Sequence, residues 1–254
     1  MNIEFLERHF GVIGARIKIG RLSRWSRRRN YEIDIHSDRH GEYFNLAVGD
    51  QPVDFRLLQA AREQRHLLLL ANDGQRFLCG HDERHWFVAG IGDRVSTVLQ
   101  AKQSLIPKGL REQIHGIAPH ELDNRRNLVF LRQGEWFFIP VRRPFDPPFV
   151  LRNEPLRRTA QNKPHICEEL YRDGGEQVYV VRNEVLSQAE YADRIKDDAR
   201  FAARARYAQL QVRNPNVYAR GAVRHADHAT VYLDGWHRVF MNAEFFTRAV
   251  AFLD

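Results

Sequence analysis

Cysteine is nearly absent, with Cys79 and Cys167 the only two in 254 residues. Two cannot form a disulfide framework for a chain of this size, so both are expected as thiols in a reducing compartment. Long apolar runs are missing as well. Even a run such as Leu67 to Ala71, which none exceeds in length, is a fraction of the ~20 residues that a membrane-spanning helix needs, and a soluble, cytoplasmic protein is expected. Basic residues run from Arg16 to Arg29 without an apolar region after them, and Glu4 and Glu7 speak against an organelle leader. The chain has no Walker pattern, no dinucleotide fingerprint and no Gly-x-Ser-x-Gly elbow. ATP- or NAD-driven chemistry is therefore unsupported. Internal repeats and low-complexity tracts are also lacking.

Lysine is scarce too, at 5 against 34 arginines, and the 39 basic and 32 acidic residues leave a net charge of +7. A planar guanidinium suits phosphate, so this balance favours a polyanionic partner, nucleic acid first. A GC-rich genome would raise arginine content without any functional demand, and an acidic protein partner fits the same charge.

What is present reads as α+β: antiparallel hairpins and meanders with a few helices, in two compact units or one elongated domain. The alternating Tyr31 to Ile35, the turn His40-Gly41 and Tyr43 to Leu46 predict one hairpin. His66 to Ala71, the turn Asn72-Asp73-Gly74, Arg76 to Cys79 and His85 to Ile91 predict a meander. Ser96 is the expected cap of a helix reaching Leu105, before Ile106-Pro107. Residues 1–106 thus form a strand-rich unit, 107–127 a polar connection, and 128–254 an α+β unit with basic surfaces. In that second unit Trp136 to Ile139 is apolar on both faces and should be a central strand. The proline-rich segment from Arg142 to Lys163 should run extended. Pro164 should open a short helix through Tyr171, and the capping box Ser187/Glu190 a long one to about Val212.

The cluster richest in chemistry is Arg224-His225-Ala226-Asp227-His228, followed by Thr230 to Leu233, Asp234-Gly235 and Trp236 to Phe240. Asp-Gly between apolar runs predicts a two-residue hairpin, which sets Tyr232 opposite His237 and brings His228 to the same face. Imidazoles beside a phenol suit proton transfer near neutral pH. A phosphodiesterase-like or nucleotide-directed site would then use His237 and His228 as base and acid, with Tyr232 beside them. Arg224 would offset developing charge, in preference to Arg238, which alternation places on the other face. The bland alternative is the solvated side of an antiparallel sheet. Cys79, His81, Asp82, Glu83 and His85 form a second group at a turn, but their spacing matches no standard ligand pair. No metal ligand is assigned and no cofactor is called for, although imidazoles would accept a divalent metal. His165 and Cys167 would suit a nucleophile pair, yet a buried structural cysteine is commoner.

Three basic regions remain. Arg16 to Arg29 contains Arg24, Arg27, Arg28 and Arg29 with Trp25 and no acid, a segment able to grip phosphates while the indole stacks on a base. On the long helix Lys196, Arg200 and Arg204 recur every four residues and so lie on one stripe. Between Ala199 and Ala226 there are six arginines and no acid. The third region comprises Arg142, Arg143, Arg152, Arg157, Arg158 and Lys163. The leading expectation is a nucleic-acid-binding protein that contacts the phosphate backbone, with a His- or metal-dependent enzyme and a scaffold subunit as alternatives.

Overall fold

The structure is a computed structural model that describes residues 2–22, 30–82, 84–122, 124–142, 145–158, 163–182 and 184–244. The expected α+β class holds: four helices and sixteen strands lie among the described residues, the strands in four sheets. Asn2 starts helix α1 (Ile3–Val12) by accepting the Phe5 amide at 3.0 Å. Leu6 and Phe10, one turn apart, are buried on it. Strands β1 (Ile17–Arg21), β2 (Tyr31–Asp38) and β3 (Gly41–Val48) form a sheet in the order β1-β3-β2. The hairpin expected at His40-Gly41 joins β2 to β3, and β1 adds parallel to β3.

Strands β4 (Phe55–Ala61), β5 (His66–Ala71), β6 (Arg76–Asp82) and β7 (His85–Ile91) make the expected meander, with β4 added at its edge. Both faces are covered, which explains the unbroken leucine run on β5. Leu67 and Leu69 join Phe10, Phe44 and Phe77 on one side, while Leu68 meets Leu78, Val98 and Ala101 on the other. Helix α2 (Val98–Ser104) covers that second side. Its cap is Thr97, whose hydroxyl accepts the Gln100 amide at 3.1 Å, and not Ser96.

The largest sheet takes β8 (Leu131–Gln133), β9 (Trp136–Pro140), β10 (Leu151–Leu156) and β11 (His165–Asp173). Strand β12 (Glu176–Val181), β13 (Glu184–Ser187), helices α3 (Gln188–Asp197) and α4 (Ala199–Ala205) and β14 (Gln209–Arg213) then build a small sheet with its own helical cover. Finally β15 (Asn216–Arg224) and β16 (Val231–Met241) complete the large sheet in the order β10-β11-β15-β16-β9-β8. Strand β9 is buried on both faces as expected: Trp136 and Phe138 serve one core cluster, Phe137 and Ile139 another. That second cluster also takes Ile106 and Leu110. At the far end of the chain, the Ala243 amide donates to Leu105 and Glu244 accepts from Gly90.

Three further expectations are overturned. First, Asp234-Gly235 is not a hairpin turn, because residues 231–241 form one strand paired with β15 on one side and β9 on the other. The dipeptide is absorbed as a bulge: Ala219 faces His237 and Gly221 faces Leu233, so Arg220 stands against three residues. Positive φ at Gly235 (100°) and Gly221 (78°) makes this possible. The true reversal falls at residues 225–230. Second, residues 165–171 are strand rather than helix. His165 and Cys167 alternate inward, a bulge near Glu168 resets the phase, and Leu170 is buried after it. Pairing with β10 and β15 outweighs the local helix signal of Pro164. Third, the helix from Ser187 stops at Asp197. Asp198 adopts extended geometry and turns its carboxylate onto the Arg200 and Phe201 amides (2.8 and 2.9 Å), which starts α4 afresh. Residues 209–213 then pair with β12 as a strand.

Candidate metal centre

The reversal at residues 225–230 brings two histidines to one end of the large sheet, beside the first residue of β11 and the turn between β8 and β9. His165, His225 and His228 each offer a ring nitrogen there, and the three lie within 4.8 Å of one another. Ring centroids are 4.2 Å apart for His165–His225 and 4.7 Å for His225–His228. Glu135, from the β8–β9 turn, sets a carboxylate oxygen 3.5 Å from His165 Nε2. His165 is 1% exposed and Glu135 8%, so these groups have little water to satisfy them.

Hydrogen bonding fixes which nitrogen of His165 donates. The Gln133 amide nitrogen donates to the carbonyls of Val223 (3.2 Å) and Ala229 (2.7 Å), so its oxygen is the atom presented to His165 Nδ1 at 3.0 Å. An oxygen can only accept, so Nδ1 carries the proton and Nε2 of the neutral ring is a bare lone pair. That lone pair faces a carboxylate. A cation belongs between them: a proton on Nε2, which makes His165 an imidazolium paired with Glu135, or a metal ion in its place. His165 Nε2, His225 Nε2 and His228 Nδ1 are all buried without a hydrogen-bond partner. The Asp227 amide donates to His225 Nδ1 at 3.1 Å, so in the neutral ring Nε2 carries the proton and this imidazole offers a lone pair to a metal only once that bond is given up; Asp227 is anchored by Lys163 at 2.6 Å.

Electrostatics keeps the cluster ready to ligate. Burial, and then the charges that His225 and His165 would carry, push His228 down to about 4. Burial and His165 likewise lower His225. For Glu135 burial acts upward, but hydrogen bonding to and charge from His165 prevail and its carboxyl lies below the usual range. Neutral imidazoles and an ionised carboxylate are the forms a metal requires. Space is shaped to match: at Gly134, where φ is +55°, a Cβ would stand 2.9 Å from His228 Nε2 and 3.4 Å from His165 Cε1.

The sequence-predicted residues are distributed differently from the expectation. His228 belongs to this cluster. His237 and Tyr232 are not cross-strand partners but line one cleft from the same strand, and neither is among the clustered donors. Arg224 reaches across the sheet to Asn153 Oδ1 at 2.6 Å. The β6–β7 turn assembles no ligand set among the described residues: Cys79 is buried in the core, His81 packs edge-on to Trp86, His85 bonds Glu42 at 2.6 Å, and Asp82 faces Arg132 at 3.6 Å. Glu83 lies outside the described residues, as do Arg24, Trp25, Arg27, Arg28, Arg29 and Arg143. Burial raises the Cys167 thiol to about 12, which removes the thiolate that a nucleophile pair with His165 needs. Lys196 sits on α3 and Arg200 and Arg204 on α4, so no continuous helical stripe joins them. Arg16 and Lys18 share Asp38, Arg152 faces Glu169, and Arg158 pairs with Glu244 in the interior.

Sequence reasoning missed Glu135 and Gln133 as site residues and considered His165 only beside Cys167. The signal open to it was a polar Gln-Gly-Glu turn leading straight into an apolar strand. Compared with protein-family models, curated proteins and solved structures, the chain matches none.

Proposed function

We propose that this protein binds a divalent transition-metal ion, zinc in the first instance, through His165, His225, His228 and Glu135. The observation that carries the reading is the gathering of three buried, partnerless imidazole nitrogens within 4.8 Å of one another, with a carboxylate 3.5 Å from the one on His165. Two ligands held 2.0–2.1 Å from a tetrahedral ion stand roughly 3.3 Å apart, close to the 3.5 Å between Glu135 and His165. Three imidazoles and a carboxylate favour zinc, cobalt, nickel or copper over magnesium or calcium. Gln133 is the outer partner that holds His165 in its ligating tautomer. Four protein ligands make a closed centre, so the ion's role is to tie the β8–β9 turn, the start of β11 and the β15–β16 loop together. Both cysteines are buried and free, and we assign the protein to the reducing cytoplasm.

The test is metal analysis of protein purified without an affinity tag that binds metals, followed by titration of the chelated protein with cobalt(II). One equivalent of bound metal and an intense tetrahedral cobalt spectrum are expected. No stoichiometric metal, or a His165→Ala/His228→Ala protein that binds cobalt as the wild type does, sinks the reading. Turnover of labelled DNA and RNA by the zinc-loaded protein would instead assign the ion to a metal-dependent enzyme acting on phosphodiesters.

Nucleic-acid contact is the second reading, and one observation favours it. Arg200, Arg204 and Arg206 all lie on or just after α4, where among the described residues none has an ion-pair partner. Backbone binding of this kind falls steeply with salt. A salt-independent interaction with DNA and RNA, or one unchanged by Arg200→Glu/Arg204→Glu, would leave an acidic protein partner as the remaining use of the charge.

A further inference from the structure

A second site lies on the same sheet, away from the imidazole cluster. The loop 126–131 and strand β16 enclose a cleft of about 390 Å³ that none of the four proposed metal ligands lines. This is within the size range of small-ligand sites, and its walls have the usual character of such sites. Val129, Phe130, Leu131 and Pro140 provide an apolar surface. Leu128 (86% exposed) and Tyr232 (70% exposed) project at it uncovered.

The polar groups are few and of restricted type. Asn127 is occupied with its own loop, its oxygen accepting the Val129 and Phe130 amides at 2.9 Å each. His237 donates through Nδ1 to the Gly235 carbonyl at 2.9 Å, so Nε2 is left as an acceptor. Burial lowers the affinity of this ring for a second proton. Asp234 adds an exposed carboxylate with no ion-pair partner among the described residues. The bulge at Gly235 is what sets Asp234 and His237, three residues apart on one strand, at a single cleft. Against these two acceptors stands one cation, the exposed guanidinium of Arg126.

A ligand matching this set needs a flat body for the apolar wall and Tyr232. It also needs an edge rich in N–H donors for Asp234 and His237, and an anionic group for Arg126. Simple ammonium compounds meet the second condition but are repelled by Arg126 and leave the apolar wall uncovered. Among nucleobases, guanine presents adjacent N1–H and N2–H₂ donors that a carboxylate accepts side by side. Adenine and cytosine each place a ring acceptor where guanine has N1–H. We infer that this cleft binds a guanine nucleotide, with Asp234 and His237 reading the base edge, Tyr232 stacking on it and Arg126 meeting the phosphate. The inference stands apart from the metal reading, because the two sites share no residue.

Calorimetric titration of the purified full chain with guanosine, adenosine and cytidine monophosphates tests it. Saturable binding of the guanosine compound, at least tenfold tighter than that of the other two, is expected. Asp234→Asn, an exposed change that leaves the strand intact, should remove that preference, and Arg126→Ala should weaken the monophosphate while sparing guanosine itself. The inference is overturned if the guanosine compound does not bind at millimolar concentration, if the three bind alike, or if Asp234→Asn binds as the wild type does.

Discussion

Two histidine-rich turns stand at hairpin tips of neighbouring sheets, and they teach different things. At the β6–β7 turn, His85 bonds Glu42, which also receives the Trp86 amide at 2.9 Å, and His81 packs on Trp86. Each ring is occupied separately. At the β15–β16 loop, His225 and His228 meet His165 with ring nitrogens that the fold leaves unpaired beside a buried carboxylate. The number of histidines does not separate the two turns; the fate of each nitrogen does. At one tip the rings meet Glu42 and Trp86 separately, and at the other the ring nitrogens stand together without partners.

The largest effect that tests this contrast is loss of the ion. His165→Ala or His228→Ala should abolish stoichiometric metal, while His81→Ala and His85→Ala should retain one equivalent, measured by elemental analysis. Metal lost equally from all four would erase the distinction. Next in size, Phe138→Ala on β9, whose side chain is fully buried beneath the same sheet, should cost about 3–5 kcal/mol in urea denaturation. That cost should persist with the metal chelated, because it comes from the core and not from the centre.

Acid should discriminate the tips as well. In the metal-free protein His228 titrates at about 4 when folded, against about 6.5 in an unfolded chain. The unfolded state therefore binds the extra proton first. Stability should be complete above pH ~6.5 and fall as pH drops toward ~4, by up to about 3 kcal/mol from this residue. Denaturation of the chelated protein at several pH values should show the slope, and His228→Asn should flatten it. The smallest effect is expected at Gln133. Changing it to Leu removes the acceptor that holds His165 in register and should weaken metal binding about 10- to 100-fold without abolishing it. A Gln133→Leu protein with wild-type affinity would mean that the tautomer is set by another group.

Much of the fold was legible because its signals are local. The β2–β3 hairpin, the β5–β7 meander and the doubly buried strand β9 follow from alternation, turn residues and a four-residue apolar run. Helix α3 starts at its capping box. Where two local signals competed, the sequence was misleading. Pro164 promised a helix, yet partners on both sides made residues 165–173 a strand. Asp234-Gly235 promised a turn, yet pairing with β15 on both sides of it carried the strand straight through as a bulge.

The candidate site was legible only in part, and the reason is distance along the chain. His225 and His228 are neighbours in sequence, and their chemistry could be suspected from that alone. His165 and Gln133 lie 32 residues from each other, and Gln133 reaches Val223 across 90. Composition and periodicity determine which segments extend, which bend and which faces are buried, since those preferences act over a few residues. Which donors end up facing one carboxylate, and which nitrogens are left without a partner, was decided by sheet order and by two bulges. These are tertiary outcomes, because a bulge shifts the facing of every side chain beyond it and only pairing with both neighbouring strands holds it in place.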